Sequence, residues 1–302
     1  MTLFTILRSC KKMLTKIFKY SSYDLVLVCL AIIQFTYNIF WLTHYKTFSP
    51  GLNFLAFLAC SYFIHYNVRT ISHNHVHCPF FKNEKFNELF ALANTSNIFL
   101  PFTFFRIHHL VHHRYSNDTN KEGKAKDTSS TYLHGKNERQ EPIITYALLS
   151  YGRQIGEMVR SARVFKKRQL RTFYKETFLI FILGVFYVFI DWKWFCFLYL
   201  PAYYLGWCLI HLENYYEHYR ATNPEDRFAN SVSYYGKFYN WFCCNEAYHQ
   251  EHHIEPFRHW RKRPLTRYKF KEEMQRSRAY VAHIPSLFGF LESIFGRRYS
   301  NG

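Results

Sequence analysis

The sequence predicts an all-α integral membrane protein with four transmembrane helices arranged as two hairpins. Three observations lead to this prediction: four long uncharged runs that form two pairs, an uneven distribution of basic residues around them, and three clusters of histidine outside them. The chain has 302 residues, a formal net charge of +18, and 21% aromatic residues. This composition excludes a disordered or collagen-like chain, because apolar side chains are too plentiful to stay in water.

The uncharged runs have the length of membrane-spanning helices. The first pair covers residues 25–42 and 52–68. The second pair covers residues 174–190, which are uncharged from Thr177 onward, and residues 194–211. Ser49-Pro50-Gly51 separates the first pair and Asp191-Trp192-Lys193 interrupts the second, so each pair is expected to form a hairpin. Buried helices of a soluble protein are the alternative, because each run is near the lower length limit for a span.

Basic residues are concentrated on one side of these runs. The connections inside the hairpins hold only Lys46 and Lys193, whereas residues 106–171 hold 14 Lys and Arg and the chain after Ile210 holds another 14. The positive-inside rule therefore places residues 1–23, 69–172 and 212–302 in the cytoplasm, in a bacterial inner membrane or the endoplasmic reticulum. Residues 1–302 are treated as a single domain. Residues 89–105 are apolar but contain several polar residues, which favours an interfacial or re-entrant segment.

Three histidine clusters fall on the predicted cytoplasmic side. Residues three and four apart share one face of a helix, so each cluster brings two or three imidazoles together. Imidazole is a common ligand of zinc, iron, copper and nickel, and no cysteine ligand is expected beside these histidines. The candidate ligands are His73, His75, His77, His108, His109, His112, His113, His249, His252 and His253.

A fourth element follows the last uncharged run. Asn214 and His218 are four residues apart and face the same way on a helix. The imidazoles now exceed the coordination capacity of one ion, so the sequence predicts two metal ions. Nearby carboxylates are candidates to accept a hydrogen bond from the outer ring nitrogen of a ligating histidine, namely Asp118, Asp127, Glu213, Glu217, Glu251 and Glu255.

At these motifs the chain resembles the integral-membrane fatty acid desaturase superfamily. The segment His112-His113-Arg114-Tyr115-Ser116-Asn117 is similar to H-H-x-Y-S/T-N of that family, and Tyr248 to Pro256 is similar to its Y-H-x-E-H-H-x-x-P. The resemblance implies a cytoplasmic histidine-rich helical domain with two iron ions (Fe2+/Fe3+), dioxygen as co-substrate and a lipid or fatty acyl substrate. The implied ligands are His73, His77, His109, His112, His113, His218, His249, His252 and His253, with Asn214 near the iron or holding a water.

Two features leave alternatives open. The element Asn214-Tyr215-Tyr216-Glu217-His218-Tyr219 is similar to N-Y-x-E-H-Y-G of the related membrane alkane hydroxylases, with Arg220 in place of the glycine. His108 with His112-His113 gives the pattern H-x-x-x-H-H of the hydroxylases, whereas His109 gives the pattern H-x-x-H-H of the desaturases. We favour His109 as the ligand. In the first cluster, His75 is a similar alternative. The favoured function is desaturation of a fatty acid or acyl lipid, and hydroxylation of a fatty acid or alkane is the alternative.

The partners follow from the same resemblance. The sequence contains no H-P-G-G haem-binding motif of a fused cytochrome b5 module, so an external electron donor of ferredoxin or cytochrome b5 type is expected. No nucleic-acid motif accompanies the positive charge, and no nucleic-acid partner is expected. A metal transporter is disfavoured, because the histidine clusters lie outside the spans. Residues 283–295 are expected to cap the site or lie in the membrane interface, and we favour the interface.

Overall fold

The computed structural model describes residue 9 and residues 12–119, 125–221, 223 and 225–292 of the chain. These residues are mostly helical, which confirms the all-α prediction. Within them, one small sheet pairs β1 (Ser233–Tyr234) with β2 (Val281–Ala282) in parallel. The chain forms two compact units, Met1–Thr103 with Arg171–Tyr203 and Phe104–Leu170 with Tyr204–Gly302. Residues 1–8 and 293–302 of the predicted cytoplasmic ends lie outside the described residues.

The helices take up the expected runs. The α-helices are α1 (Asp24–His44), α2 (Pro50–Tyr66), α3 (His73–His77), α4 (Glu84–Ile98), α5 (Phe102–Tyr115), α6 (Ile143–Ser161), α7 (Lys167–Trp194), α8 (Leu200–His218), α9 (Lys237–Phe242), α10 (His249–Ile254), α11 (Arg263–Lys269) and α12 (Lys271–Arg276). Asn67–Ser72 and Phe195–Tyr199 are π-helical and lead directly into α3 and α8. Short 3-10 turns lie at Tyr45–Thr47, Ala162–Val164, Trp260–Lys262 and Ser286–Leu291.

Helices α1 and α2 of the first unit form an antiparallel pair. The Tyr37 hydroxyl donates to the Ala56 carbonyl at 2.7 Å, and Trp41 Nε1 donates to Asn53 Oδ1 at 3.1 Å. These bonds pair later residues of α1 with earlier residues of α2. Ser49 starts α2, because its side chain accepts a hydrogen bond from a backbone N–H of the first turn.

The chain also reverses inside α7. Asp191 has extended backbone angles (φ −160°, ψ 97°) within an otherwise helical stretch. The ring centroids of Tyr187 and Tyr199 lie 5.4 Å apart, although twelve residues of straight helix would separate them by about 18 Å. Asp191 Oδ1 accepts a hydrogen bond from the backbone N–H of Trp194 at 3.1 Å, which fixes the start of the returning helix.

Among the residues that the structure describes, two segments are long and apolar enough to cross a membrane, Asp24–Thr47 and Lys167–His218. The second segment contains both predicted runs 174–190 and 194–211 and the reversal between them. The run 52–68 corresponds to α2, whose 17 residues extend about 26 Å, slightly less than the ~30 Å hydrocarbon core. The structure therefore shows two apolar segments, and an arrangement of four spans is still a proposal.

The polar residues of the run 89–105 are buried against α1. Asn97 Nδ2 donates to the Ala31 carbonyl at 2.9 Å, and Gln34 Nε2 donates to the Asn97 carbonyl at 3.0 Å. Helix α4 then ends at Phe99, which has a left-handed φ of 47°. Asn97, one of the residues that make this run a poor span, thus binds a neighbouring helix. Its interfacial or re-entrant position is still a prediction.

A carboxylate holds the start of α5, the helix that carries the second histidine cluster. Glu176 of α7 is buried and accepts hydrogen bonds from the backbone N–H and the hydroxyl of Thr103, at 2.9 and 3.1 Å. The side chain therefore provides an acceptor for a backbone N–H of the first turn, which has no partner within the helix.

The C-terminal segment of the second unit packs against α8. A Cβ atom on Gly289 would lie 2.2 Å from Tyr216 Cγ, so the backbone rests directly on that ring. Glu292 ties the segment down by accepting hydrogen bonds from the Tyr280 hydroxyl and the His283 N–H, at 2.9 and 3.0 Å. Phe288 remains about half exposed. The segment therefore covers part of α8, and its interfacial location stays a prediction.

Candidate metal centre

Three helices of the second unit bring its histidines together. Helix α5 carries the second cluster, the end of α8 carries His218, and the short helix α10 carries the third cluster. In α5 and α10 the spacing of three and four residues places the imidazoles on one face, as the sequence predicts. Backbone N–H groups hold α10 in place; for example, the N–H of Gln250 donates to the Ser233 hydroxyl at 2.9 Å.

The first histidine group consists of His109, His113 and His252. The Nε2 atom of His113 lies 2.9 Å from that of His109 and 2.9 Å from that of His252. The ring of His113 stands nearly perpendicular to both neighbours, at 82° and 87°. Three Nε2 atoms from two helices therefore converge on one point.

The second histidine group consists of His112, His218, His249 and His253, and their ligand atoms lie within 4.8 Å of one another. The Nε2 atom of His218 lies 3.1 Å from that of His112 and 3.4 Å from that of His249. The two groups are neighbours, because the ring centroids of His113 and His253 are 4.5 Å apart. The site therefore offers two adjacent positions surrounded by imidazole.

These distances fit metal ligation. Two imidazole nitrogens bound at about 2.1 Å to the same ion lie about 3 Å apart, which matches the 2.9 to 3.4 Å separations of the Nε2 atoms. A set of imidazoles without thiolate suits iron, zinc, copper and nickel. The donor set thus fits the predicted pair of metal ions.

The outer ring nitrogens of the second histidine group all face oxygen atoms. Nδ1 of His112 lies 2.8 Å from Asp127 Oδ2, and Nδ1 of His218 lies 3.0 Å from the Asn230 carbonyl. The remaining two contacts are longer: His249 Nδ1 to Glu217 Oε1 at 3.4 Å and His253 Nδ1 to Ser116 Oγ at 3.4 Å. An Nδ1–H that donates outward leaves Nε2 with its lone pair, the form that binds a metal.

Asp127 is a buried anion beside this group. Burial by itself raises its pKa, but the interaction with His112 and the hydrogen bonds from the backbone N–H groups of Ser129 and Asn117 outweigh burial. The pKa of Asp127 therefore lies well below its ordinary value, and the carboxylate stays ionised next to His112.

The first cluster lies in the first unit. His73 and His77 are buried, and their ring centroids are 5.1 Å apart in an edge-to-face arrangement. Both project from α3, directly after the π-helical segment Asn67–Ser72. π-Helical turns inside α-helices are frequent at functional sites. The predicted i, i+4 pair is therefore formed within this unit.

Comparison with known proteins identifies the family. A family model described as fatty acid desaturase matches residues 49–285. The chain belongs to the fatty acid desaturase family. Neither the curated proteins nor the solved structures yielded a match to this chain.

Membership in the desaturase family makes the chain an oxidoreductase that acts on lipid in association with a membrane. The two long apolar helical segments agree with a membrane protein. The matched residues contain all nine histidines predicted as ligands. The family and the histidine groups together indicate a metal site consistent with two irons.

His108 and His75, the alternative ligands in this desaturase-family chain, both pack against phenylalanine rings. The ring of His108 packs against that of Phe104, with centroids 5.5 Å apart, and burial lowers the pKa of His108 to about 4. His75 lies among Phe80 and Phe90, with ring centroids 4.8 Å away in each case. The geometry therefore favours His109 over His108, and His73 with His77 over His75.

Asn214 lies near the second histidine group in sequence and bonds to Tyr146. The Asn214 amide Nδ2 donates to the Tyr146 hydroxyl at 2.8 Å, and that hydroxyl donates to the Ser129 carbonyl at 2.7 Å. The tyrosine oxygen therefore accepts a hydrogen bond from the amide nitrogen, and this bond fixes the orientation of the Asn214 side chain. A role for Asn214 near the metal is still a prediction.

The six candidate carboxylates have different partners. Asp127 and Glu217 face histidines of the second group, as described above. Other carboxylates bind hydroxyl or basic groups: Glu251 accepts from Ser233 and Tyr235, Glu213 from Tyr239, and Glu255 from Thr266, Arg258 and Lys269. Asp118 accepts hydrogen bonds from the backbone N–H groups of Lys126 and Asp127.

Sequence reasoning missed three contributors: the Asn230 carbonyl, the Ser116 hydroxyl and Tyr146. Ser116 lies within the motif that resembles the desaturases, so its position was an available signal. A backbone carbonyl can come from any residue type, and Tyr146 lies 68 residues from Asn214. The spacing of residues in the sequence therefore does not predict the contact of the Asn230 carbonyl or that of Tyr146.

Proposed function

We propose that this chain is a membrane desaturase that uses dioxygen to oxidise an acyl chain at a two-iron centre. The observation that carries the proposal is the convergence of seven imidazoles of the second unit in two adjacent groups. Most of these histidines are buried, which agrees with a site that keeps water from a reactive oxidant.

The proposed ligands are eight histidines from the three clusters and His218 at the end of α8. Bound iron, reduced by an external donor, would supply the power to take hydrogen from an unactivated C–H bond with dioxygen. The chain itself holds the ligand nitrogens and fixes their tautomers through outer contacts such as His112 to Asp127. The proposed set is His73, His77, His109, His112, His113, His218, His249, His252 and His253.

The proposed membrane arrangement has four spans, with both termini and the histidine clusters in the cytoplasm. Support comes from the two apolar segments, from the chain reversal at Asp191 and from the basic residues outside the hairpins. The basic surface would dock an acidic electron donor of ferredoxin or cytochrome b5 type.

The experiment is product analysis of lipids from cells that express the protein. Mass spectrometry of the acyl chains is expected to show a loss of two hydrogens in the presence of the wild-type protein. His252→Ala is expected to abolish this product, because it removes a member of the first histidine group. Membrane insertion should be unchanged, because His252 lies outside both apolar segments. His134→Ala is the matched control, since His134 lies outside both histidine groups. Wild-type product from His252→Ala would contradict the assignment.

Hydroxylation is the second candidate function. It is favoured by the segment Asn214 to Tyr219, whose pattern is similar to that of the membrane alkane hydroxylases. Both reactions begin by removal of one hydrogen, and positioning on the order of an ångström decides the outcome. A product that gains one oxygen, and whose formation depends on His252, would move the chain to this branch.

A further inference from the structure

A single loop in the second unit contacts two parts of the candidate metal centre. We call residues 127–131 the 127–131 loop. It starts at Asp127 and lies between α5 and α6 in the sequence. Asn117, with a left-handed φ of 58°, holds it: Asn117 Oδ1 accepts the N–H and the hydroxyl of Thr131, at 2.6 and 3.1 Å. Asp118 Oδ1 accepts the Asp127 N–H at 3.0 Å. The loop is therefore fastened to the residues that directly follow the second histidine cluster.

The first contact is between Asp127 and His112. Asp127 Oδ2 accepts from His112 Nδ1 and from the Asn117 N–H, both at 2.8 Å, while Oδ1 accepts from the Ser129 N–H at 2.8 Å. The carboxylate has no solvent exposure. An ionised carboxylate only accepts, so His112 must carry its proton on Nδ1. Its Nε2 atom then presents a lone pair toward the second histidine group.

The second contact runs from Ser129 to Asn214. The Ser129 carbonyl accepts the Tyr146 hydroxyl at 2.7 Å, which leaves the phenol oxygen to accept from Asn214 Nδ2 at 2.8 Å. Tyr146 is buried, and burial raises its pKa, so the phenol keeps its proton and can only donate to the carbonyl. The direction of both bonds is thus fixed, and the amide oxygen of Asn214 is the end turned away from Tyr146.

We propose that the 127–131 loop is a positioning element of the metal centre, in which Asp127 sets the ring of His112 while Ser129, through Tyr146, sets the amide of Asn214. The proposal rests on the proposed metal site, but it does not depend on which lipid reaction occurs. Asp127 and Ser129 are two residues apart in one anchored loop, so a shift of the loop moves both contacts together. The loop couples the ligand geometry of α5 to that of α8.

Cobalt(II) binding to the metal-free, detergent-solubilised protein tests this proposal without turnover. Asp127→Asn keeps the size of the side chain but replaces an acceptor oxygen with an N–H2 group that faces N–H donors. Loss of an outer hydrogen-bond partner weakens metal binding about 10- to 100-fold, so this variant is expected to lose that much affinity for one of two ions. Tyr146→Phe is expected to keep both ions and to shift the visible absorption bands of one, because it releases the Asn214 amide.

Glu141→Gln is the matched control. Glu141 is a buried carboxylate next to the same loop, but it pairs with Arg153 at 2.7 and 2.8 Å. This variant is expected to bind Co2+ with wild-type affinity. Wild-type affinity for both ions in folded Asp127→Asn, or an unchanged spectrum of Tyr146→Phe, would overturn the positioning role. Two bound ions with the expected variant effects, but no oxidised lipid, would overturn only the proposed function.

Discussion

The side chains of Tyr45 and Asp191 form a 2.7 Å hydrogen bond across 146 residues of sequence. Tyr45 begins the turn after α1, and Asp191 is the point at which the chain reverses within α7. Lys46 from the same turn lies 2.6 Å from the Asp191 carboxylate. The turns of the two helix pairs therefore meet within the first unit, which agrees with two hairpins that point the same way.

Asp191→Ala should lower the thermal midpoint of unfolding in detergent. The substitution removes the bonds from Tyr45 and from the Trp194 N–H, and a hydrogen bond to a charged group contributes about 1.5–3 kcal/mol. Lys46→Ala should have the same thermal midpoint as the wild-type protein, because the lysine side chain is 72% exposed and surface ion pairs contribute little to stability. Equal effects of the two substitutions would mean that charge pairing, and not the turn geometry, matters here.

His109→Ala and His108→Ala should differ although the residues are adjacent. His109 converges with His113 and His252, so its loss should reduce the iron content of the purified protein and abolish turnover. His108 packs on Phe104, and its replacement should leave the iron content near that of the wild type. Iron is measured by elemental analysis. The reverse result would assign His108 as the ligand and support the hydroxylase spacing.

Gly289→Ala should destabilise the C-terminal segment. The new Cβ atom would meet the Tyr216 ring at 2.2 Å, and such overpacking costs about 1–3 kcal/mol. Limited proteolysis should cleave the variant faster near its C-terminus. Gly152→Ala in α6 is the control: its Cβ meets nothing within 4 Å, so it should stabilise the helix by about 0.5–1 kcal/mol. Similar cleavage rates for both variants would argue against the contact with Tyr216.

The same segment should loosen in acid. Burial raises the pKa of Glu292, but hydrogen bonds from the backbone and ring of His283 and from Tyr280 bring the pKa below the ordinary 4.5. A lowered pKa in the folded state stabilises that state above pH 4.5, and this contribution is lost as the pH falls through the folded value. Proteolysis of the segment should therefore accelerate below pH 4.5.

Glu292→Gln provides the comparison for this pH dependence. A glutamine does not titrate, so the variant should be cleaved readily at neutral pH, and its cleavage rate should change less on acidification. A wild-type protein whose C-terminal cleavage is the same at pH 4 and pH 7 would contradict the role of this carboxylate.

Much of the architecture is readable from uncharged runs and turn residues. The interruption at Asp191-Trp192-Lys193 predicts the reversal that the Tyr187 to Tyr199 contact shows. The asparagines of α4 distinguish this run from the others in the sequence. Their partners depend on packing between distant residues: Asn97 binds Ala31 of α1, and Asn94 binds Asn67 and Ser72. The π-helical turn at Asn67–Ser72 was not predicted, because periodicity does not distinguish it from an ordinary helix.

The histidine spacing predicts which residues meet within each cluster, because helix geometry fixes neighbours three and four apart. The separation of His109 from His108 required the structure, since both spacings are compatible with a helix. The outer contacts divide similarly. Asp127 and Glu217 were among six candidate carboxylates, and only the folded chain shows which of these carboxylates face an imidazole.

The π-helical turn before His73 makes the number of residues in this segment critical for the direction of the histidines that follow it. An α-helix rotates about 100° per residue, so removal of one residue from Asn67–Ser72 would swing His73 and His77 by about a quarter turn around the helix axis. A point substitution in the segment leaves that rotation unchanged. Insertions and deletions of one residue between α2 and α3 should therefore be excluded from active variants.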